Sequence, residues 1–420
     1  MQRQFRAERK VRDMVSKILI WATVAWTSTA RHAAGFALAG CHVEAVAPAG
    51  APVTLSRYVS VCYGYRALAP LASLRDAIQR AQPDLIVSCD DRAVENLLRL
   101  YGSRHSNAGV DAIIKRSLGA PEQYAELMSR KGSMREAAGL GIRVPDTLAV
   151  PTQQALEAAL DRIGLPAVLK TDGSWGGEGV AVVKTREEAR AAFQRLANAP
   201  SRVRSLARWA RRRDAHWIVA AIAPQPRSVV IQNFVSGQPA ASGFACWNGK
   251  VVGAVYYDVL RADGSIGPPS VIQRVDCPEI AEATRLIAKR FQLSGLHGLD
   301  FIRDETGHVH LIEINPRATQ GGTLPFGPGR DLAAGLASCI DGGVKARPAI
   351  ENDRVVFFPR EWLRDPASAW LTDAHHDVPW DDPTIVAVSL QDIPVSYGKG
   401  KALHERARRN VVPVPAMARS

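Results

Sequence analysis

The first hundred residues alternate between short apolar runs and amphipathic stretches. The apolar runs predict strands and the stretches between them predict helices; in chain order they are Ile18–Ala25, Ser28–Ala39, His42–Ala47, Leu71–Ala81, Leu85–Ser88 and Ala93–Tyr101. Strands that alternate with helices form a parallel sheet, because each connection has to cross back over a face of that sheet. The segment therefore predicts an open, Rossmann-like α/β layer. The first strand is not followed by the glycine-rich loop of a dinucleotide-binding protein.

The formal net charge of +12 comes from three segments and not from the body of the chain. Residues 1–17 carry +4, residues 201–213 carry +6 and residues 399–420 carry +5, which leaves about −3 for the rest. Such runs are typical of solvated surface. We interpret the arginine-rich stretch 201–213 as a solvated helical insertion. We do not expect nucleic acid as a partner, because few base-stacking aromatic residues lie near the stretch.

The rest of the composition is that of an ordinary globular protein. Hydrophobic residues make up 46% of the 420 residues and charged residues 22%, which excludes a disordered or fibrous chain. The six cysteines stand far apart and lack the spacing of a metal site, as in proteins of a reducing compartment. No apolar run reaches the ~20 residues that span a bilayer. We therefore expect a cytoplasmic protein without a membrane partner.

A glycine-rich loop between two apolar runs is the first sign of nucleotide binding. Residues 167–184 read AVLKTDGSWGGEGVAVVK, and the small residues of the loop are Gly173, Ser174, Gly176, Gly177 and Gly179. Glycine lets backbone N–H groups surround phosphate oxygens. A Rossmann or Walker loop leads into a helix, whereas this loop leads into the strand-like run Val180–Lys184. We predict a hairpin whose tip closes over a nucleotide, with Lys170 within reach of an α- or β-phosphate.

A second predicted hairpin lies at residues 298–322, which read GLDFIRDETGHVHLIEINPRATQGG. Thr306-Gly307 suits a two-residue turn. A constant register from that turn places Asp300 opposite Glu313. Two carboxylates that face each other destabilise a sheet unless a cation lies between them. The hairpin therefore predicts a cation site.

The chemistry of these side chains favours a magnesium site. Asp300, Glu313 and Asn315 supply oxygen atoms, which are the ligands that Mg²⁺ prefers and shares with substrate phosphates. Arg317, just beyond the strand, can add a forked cation beside the metal. Both carboxylates lie within apolar runs, which argues against a solvated surface hairpin.

Taken together with two further segments, these motifs resemble the ATP-grasp superfamily, which includes D-alanine–D-alanine ligase, biotin carboxylase and the L-amino acid ligases. The further segments are Ser129–Gly132 and Ile231–Gly237. The resemblance covers roughly residues 124–340 and implies an α/β fold, with a Rossmann-like pre-grasp domain followed by an ATP-grasp domain of two α+β subdomains. The implied limits are a basic tail at 1–16, a pre-grasp domain at 17–118, an ATP-grasp domain at 119–345 with a mobile lid at about 165–237, and a C-terminal segment at 346–420 without an assigned role.

The resemblance also implies roles for the residues that match family motifs. Lys131 and Lys170 would be the two lysines that bind ATP phosphates, and Gly173–Gly179 would be the lid loop. The linker that presents backbone groups to adenine would consist of Gln232, Asn233, Phe234 and Val235. Asp300, Glu313 and Asn315 would hold the metal, and Arg317 would be the arginine that follows them.

Three features depart from the family pattern. The linker usually carries a glutamate where Gln232 or Asn233 stands. A lysine found later in some members has no clear counterpart, and Arg261 or Arg274 is the candidate substitute. The segment Ala318–Gly322 matches no substrate signature that we can assign.

The activity implied by the resemblance is that of an ATP-dependent ligase. It would use Mg²⁺ or Mn²⁺ and activate a carboxylate as an acyl phosphate, with release of ADP, for attack by an amine or similar nucleophile. Lys170 and Arg317 would be catalytic, both substrates would be small molecules, and a homodimer is left open. The alternatives are another ATP-grasp chemistry, such as phosphotransfer or a carboxylase-like step, and a nucleotide-sensing or nucleic-acid-binding protein. The complete set of metal ligands favours an enzyme over a sensor.

Overall fold

The computed structural model describes residues 15–171, 179–198, 202–212, 228–262, 267–340 and 343–390, together with residues 217–218, 222 and 264. Most of the predicted glycine loop, namely Gly173, Ser174, Gly176 and Gly177, lies outside the described residues. The basic C-terminal segment and nearly all of the basic N-terminal segment also lie outside them. No helix of the described part is both long enough and apolar enough to cross a membrane.

The N-terminal layer is the predicted parallel sheet. Its strands are β1 (Lys17–Trp21), β2 (His42–Ala47), β3 (Val61–Gly64) and β4 (Leu85–Ser88), in the order β3-β2-β1-β4. The connecting helices are α1 (Thr27–Leu38), α2 (Pro70–Ala81), α3 (Asp91–Leu100) and α4 (Ala108–Leu118). All neighbouring strands run parallel, which confirms the Rossmann-like prediction. The sequence pattern missed β3, because this edge strand is largely exposed and lacks a continuous apolar run.

A buried carboxylate holds the end of β4 in place. Asp90 accepts a hydrogen bond from the backbone N–H of Ala93 at 2.9 Å, which caps α3. It also accepts one from the hydroxyl of Thr23 at 2.7 Å, just beyond β1. Asp90 therefore fixes the neighbouring Asp91 at the carboxyl edge of the sheet, where α/β proteins commonly bind their ligands.

The second sheet is antiparallel and contains the hairpin that the sequence predicts as part of a lid. Its strands are β5 (Thr147–Ala149), β6 (Ala167–Thr171), β7 (Val180–Val183) and β8 (Val229–Asn233), in the order β5-β8-β6-β7. Two helices precede this sheet in the chain, namely α5 (Tyr124–Met128) and α6 (Arg130–Gly139). Three helices connect its strands, namely α7 (Gln153–Ile163), α8 (Arg186–Ala197) and α9 (Arg202–Arg212). The predicted hairpin is present, since β6 and β7 pair from Ala167 with Val183 to Lys170 with Val180. The backbone N–H of Thr171 donates to the carbonyl of Gly179 at 2.9 Å and closes the base of the loop.

The third sheet is large and mixed. Its strands are β9 (Gln238–Trp247), β10 (Lys250–Ala262), β11 (Pro269–Arg274), β12 (Gly295–Arg303), β13 (Val309–Asn315), β14 (Arg354–Phe357) and β15 (His375–Asp377), in the order β13-β12-β9-β10-β11-β14-β15. Its helices are α10 (Pro278–Arg290), α11 (Leu332–Ala337), α12 (Arg360–Arg364), α13 (Trp370–Asp373) and α14 (Pro383–Leu390), and short 3₁₀ turns lie at Pro52–Leu55, Pro121–Gln123 and Gln320–Thr323. β14 pairs with β11 and β15 with β14, so residues 354–377 of the C-terminal segment add two strands to this sheet.

The hairpin of β12 and β13 keeps the predicted pair but not the predicted register. Asp300 pairs with Glu313, as expected. Beyond it the register slips by one residue, because Phe301 pairs with Leu311 and Ile312 is left over as a β-bulge. The turn is also longer than two residues, since Arg303 pairs with Val309. The predicted constant register and two-residue turn are therefore wrong. The longer turn shifts the pairing by one residue, and the bulge shifts it back, so Asp300 still pairs with Glu313.

Two buried histidines are held in the neutral form. The ring Nε2 of His32 donates to the carbonyl of Thr319 at 3.1 Å, and the ring Nε2 of His297 donates to the carbonyl of Ser294 at 2.9 Å. Burial lowers the pKa of each ring to about 4, although the carbonyl partners oppose this shift. The two rings therefore resist protonation until the pH is far below 6.5.

We expect the free energy of unfolding to fall as the pH drops from 6.5 towards 4. In this window the unfolded chain binds protons at His32 and His297 that the folded chain does not bind, so acid favours unfolding. Between pH 7 and pH 5 the loss is about 2 kcal/mol per histidine. Denaturant titrations at the two pH values should show a smaller loss for His297→Gln than for the wild type. His308→Gln, which changes an exposed ring, should match the wild type; equal losses for all three proteins would contradict the expectation.

Candidate functional site

The β-bulge gives Lys170 its partner. Ile312 has no counterpart on β12, and its carbonyl accepts a hydrogen bond of 2.9 Å from the Nζ of Lys170 on β6. The lysine is buried, and burial lowers its pKa to about 8 against the opposing attraction of Glu313. The contact joins the second sheet to the large sheet. Lys170 thus lies beside Glu313 and Asp300, two of the predicted metal ligands.

The three predicted metal ligands lie together where the end of β13 pairs with the middle of β12. The side-chain amide of Asn315 donates to Asp300 at 2.9 Å. Burial and the nearby charge of Glu313 raise the pKa of Asp300. Burial would also raise the pKa of Glu313, but the charges of Arg130 and Lys170 outweigh it and lower that pKa. Positive charge thus stabilises the carboxylate of Glu313, whereas the raised pKa of Asp300 reflects burial and negative charge that a bound cation would offset.

Arg130 is a site residue that the sequence reasoning missed. Its guanidinium lies 3.1 Å from the Oε1 of Glu313, and its Nε donates to the carbonyl of Thr171 at 3.1 Å. Lys131, the predicted phosphate lysine, has an exposed side chain. Ser129 caps α6 by accepting from the backbone N–H of Gly132 at 3.1 Å, so Arg130 is the first residue of the helix. Consecutive helical residues point about 100° apart, and the cap position directs Arg130 towards the strands.

Arg317 connects the metal-ligand cluster with the Rossmann-like layer. Its Nε donates to Asp91 at 3.1 Å, and one of its terminal nitrogens donates to the Oδ1 of Asn315 at 3.1 Å. The guanidinium carbon lies 5.6 Å from the centre of the Trp26 ring. Asp91 and Trp26 were not predicted as site residues. A carboxylate that follows the last strand of a parallel sheet is the signal that could have indicated Asp91.

The predicted adenine linker splits into two parts. The side-chain amide of Gln232 donates to the hydroxyl of Thr147 at 2.9 Å, and that of Asn233 donates to the carbonyl of Ile163 at 3.1 Å. Both side chains therefore bond to residues of the second sheet and of the helix α7 beside it. β8 ends at Asn233, and Phe234 and Val235 follow outside the strand, with the Phe234 side chain exposed. Contacts to an adenine edge would come from the backbone after β8.

The unassigned segment Ala318–Gly322 lies directly on the large sheet. A Cβ atom on Gly321 would lie 2.6 Å from the hydroxyl oxygen of Tyr257, and a Cβ atom on Gly298 would lie 2.5 Å from the Cγ2 of Thr319. No side chain fits at either position, so both glycines are needed for the close approach. Tyr257 shares a ladder row with Asp300, because both pair with Ala241 of β9. The segment thus forms a wall of the site.

The candidate substitutes for the missing lysine lie elsewhere. Arg274 donates from its Nε to Asp353 at 2.6 Å and lies 3.2 Å from Asp276. Arg261 is exposed. Within the described part, neither arginine contacts the residues that surround Asp300.

A pocket opens beside the edge strand β13, between it and helices α5 and α6. Its lining residues are Asp91, Leu127, Met128, Arg130, Ser133, Met134, Ile312, Glu313, Ile314 and Pro316. The pocket has an apolar wall on one side and charged groups on the other. It lies next to the predicted metal ligands, because Glu313 is part of its lining.

Solved structures with the same architecture decide the fold. N5-carboxyaminoimidazole synthetase from Staphylococcus aureus matches at a TM-score of 0.54 and 13% identity, over 80% of this chain and 79% of its own. The biotin carboxylase domain of the Hydrogenobacter thermophilus 2-oxoglutarate carboxylase matches at 0.56 and 15%, over 81% and 72%. This chain has the ATP-grasp fold. N5-carboxyaminoimidazole synthase from Aspergillus clavatus, solved with ADP and 5-aminoimidazole ribonucleotide, matches at 0.54 and 11%, over 77% of each chain.

The comparisons at the sequence level give no closer relative. No protein-family profile matches the chain, and no curated protein matches it. Identities of 11 to 15% establish the ATP-grasp fold alone. The chemistry of this chain therefore has to be argued from its own residues.

Proposed function

We propose that the protein is an ATP-dependent ligase that activates a carboxylate as an acyl phosphate for attack by an amine or a similar nucleophile. The observation that carries the proposal is the cluster of Asp300, Glu313 and Asn315 beside three cations, Lys170, Arg130 and Arg317. Such a cluster suits a magnesium–nucleotide complex, because the carboxylates can bind the metal while the cations bind the phosphates.

The donor set fits Mg²⁺ and ATP. Two carboxylates and one amide oxygen are hard ligands, and too few to enclose a cation, which suits Mg²⁺ shared with phosphates. No cluster of three or more His, Cys, Asp or Glu side chains occurs in the described residues, so a metal held by protein side chains alone is not indicated there. The metal would neutralise charge on the β- and γ-phosphates. Mn²⁺ has the same ligand preference and would replace it.

Different residues of this chain would have different roles in the reaction. The substrate carboxylate attacks the γ-phosphorus, ADP leaves, and the nucleophile displaces phosphate from the acyl carbon. Lys170 would bind phosphate oxygens, whose negative charge would favour the protonated form of its amine. Arg317, fixed by Asp91, would hold the substrate carboxylate and the developing oxyanion. The loop between β6 and β7 would exclude water, because an acyl phosphate hydrolyses.

The similar structures suggest the size of the substrates. Two of them were solved with ADP, one together with bicarbonate and the other with 5-aminoimidazole ribonucleotide, all of which are small molecules. By analogy, we propose a small carboxylate and a small nucleophile, and a homodimer is consistent with the dimeric biotin carboxylase domain. All six cysteines are free thiols, which supports a cytoplasmic location.

We expect the purified chain to release ADP and phosphate, and not AMP, when the correct carboxylate is supplied with Mg-ATP. The test is a screen of amino acids and small carboxylates with hydroxylamine as the nucleophile, because hydroxylamine converts an acyl phosphate into a hydroxamate. ADP together with hydroxamate supports the ligase. Release of AMP and pyrophosphate would overturn the proposal, and phosphorylation of an alcohol without hydroxamate would favour the phosphotransferase alternative.

A further inference from the structure

A cavity of about 330 Å³ lies between helix α10, the start of β13 and the turn that follows α6. Sites for small molecules begin at about 300 Å³, so this cavity has room for a small ligand. Its lining residues are Gly141, Ile142, Arg143, Pro278, Glu279, Glu282, Ala283, Leu286 and Val309. None of these residues lines the pocket beside Glu313. The cavity is therefore separate from the cleft that we assign to Mg-ATP.

Most of the lining is apolar. Ala283 and Val309 are buried and belong to the hydrophobic core. Ile142 and Leu286 are only half-buried, so part of their apolar surface is accessible to solvent. A ligand that covers these two side chains removes apolar surface from water, which favours binding. The ligand should therefore have an apolar body.

The polar part of the lining contains a pair of opposite charges. A terminal nitrogen of Arg143 contacts the Oε1 of Glu279, and the two side chains are 44% and 39% exposed. An exposed ion pair contributes little to stability, so its members can exchange partners with a ligand. Glu282, the remaining charged residue of the lining, pairs with Arg285. The ligand should therefore present one negative and one positive group.

Contacts with the backbone of β13 hold both charged residues in place. The Oε2 of Glu279 accepts a hydrogen bond of 3.3 Å from the backbone N–H of Val309. The backbone carbonyl of Arg143 accepts one of 2.8 Å from the N–H of Leu311. The Glu279 carboxylate and the turn that carries Arg143 are thus anchored to the same strand. A site whose parts are already in place loses less entropy when a ligand binds.

We propose that this cavity binds a free α-amino acid with an apolar side chain. The ammonium and the carboxylate of an α-amino acid are attached to the same carbon, which suits two opposite charges in direct contact. The carboxylate meets Arg143, and the ammonium meets Glu279. The apolar side chain covers Ile142 and Leu286. The inference goes beyond the proposed ligase activity, because it concerns residues outside the cleft.

Calorimetric titration of the full chain with leucine, in the absence of nucleotide, tests the proposal. Leucine should bind with a Kd below about 1 mM. Arg143→Gln and Glu279→Gln should each weaken that binding by at least about tenfold, because each removes one charged partner of the ligand. Arg186→Gln is the matched control, since the Arg186 side chain is 41% exposed and pairs with Glu157 between α7 and α8. It should bind leucine like the wild type.

Two analogues of leucine test whether both charges of the ligand are needed. Isocaproate and isoamylamine keep the branched chain of leucine, but each has only one of its two charges. Each should bind at least about tenfold more weakly than leucine. Equal affinity for leucine and either analogue, or equal leucine affinity of Arg143→Gln and the wild type, would overturn the proposal. Absence of leucine binding at about 10 mM would also overturn it.

Glu313→Gln distinguishes this cavity from the cleft, where an amino acid that is a substrate of the proposed ligase would bind. Leucine affinity should be the same in this variant and in the wild type, and it should not depend on Mg-ATP. Weaker binding by Glu313→Gln, with unchanged binding by Arg143→Gln, would overturn the proposal and identify leucine as a substrate. Because leucine binding does not require turnover, failure of either proposal leaves the other intact.

Discussion

Replacing Glu313 with glutamine should lower Mg-ATP turnover by at least about 10²-fold while the chain stays folded. Glutamine keeps the size of the side chain but removes the negative charge that pairs with Arg130 and that we assign to the metal. The fold should survive, because the change also removes the repulsion that raises the pKa of Asp300. Release of ADP with an activating carboxylate, together with Mg-ATP binding by calorimetry, measures the effect.

Glu305→Gln supplies the matched control for this prediction. Glu305 lies exposed in the turn of the same hairpin, so the substitution makes the same chemical change away from the cleft. Its turnover should equal that of the wild type, and thermal unfolding of both variants should stay close to that of the wild type. Substantial Mg-dependent turnover by Glu313→Gln would remove the metal assignment.

Substituting Arg130 with glutamine should weaken Mg-ATP binding by about tenfold to 100-fold, whereas the same change at Lys131 should alter it by less than about threefold. Arg130 is half-buried against Glu313 and the carbonyl of Thr171, so it can exchange these partners for a phosphate. Lys131 is exposed, and a solvated charge contributes little to binding. Calorimetric titration of the two variants, which differ by one position in the chain, measures the contrast.

The conservative variant Arg130→Lys distinguishes binding from a structural role. A lysine can meet a phosphate as a point charge but cannot donate to both Glu313 and Thr171. We expect it to restore part of the nucleotide affinity. If Lys131→Gln weakened Mg-ATP binding by tenfold or more and Arg130→Gln had no effect, the assignment from the family pattern would hold and ours would be wrong.

The hairpin of β12 and β13 shows how a correct prediction can rest on an incorrect detail. The pairing of Asp300 with Glu313 was predicted from a constant register, yet the hairpin has a longer turn and a bulge at Ile312. A bulge has no reliable signal in one sequence, because it depends on how the strand packs on its neighbours. Only the tertiary structure revealed that the bulge directs a carbonyl to Lys170.

The residues around Glu313 differ in whether the sequence could indicate them. Asn315 and Arg317 could be predicted, because they follow Glu313 by two and four residues in the chain. Asp91 and Trp26 come from a different layer and reach Arg317 only when the layers pack together. The choice between Arg130 and Lys131 likewise depends on where α6 begins, to within one residue, and helix ends are decided by local capping.

The sequence by itself determined the alternation that builds the parallel sheet, the two hairpins and the carboxylates that meet across one of them. Those features follow from apolar periodicity and turn residues, which act over a few positions of the chain. Only the tertiary structure decided that residues 354–377 continue the large sheet and that Arg130 lies against Glu313. These outcomes depend on contacts between distant segments, and a local pattern contains no information on which of its possible partners lies nearest.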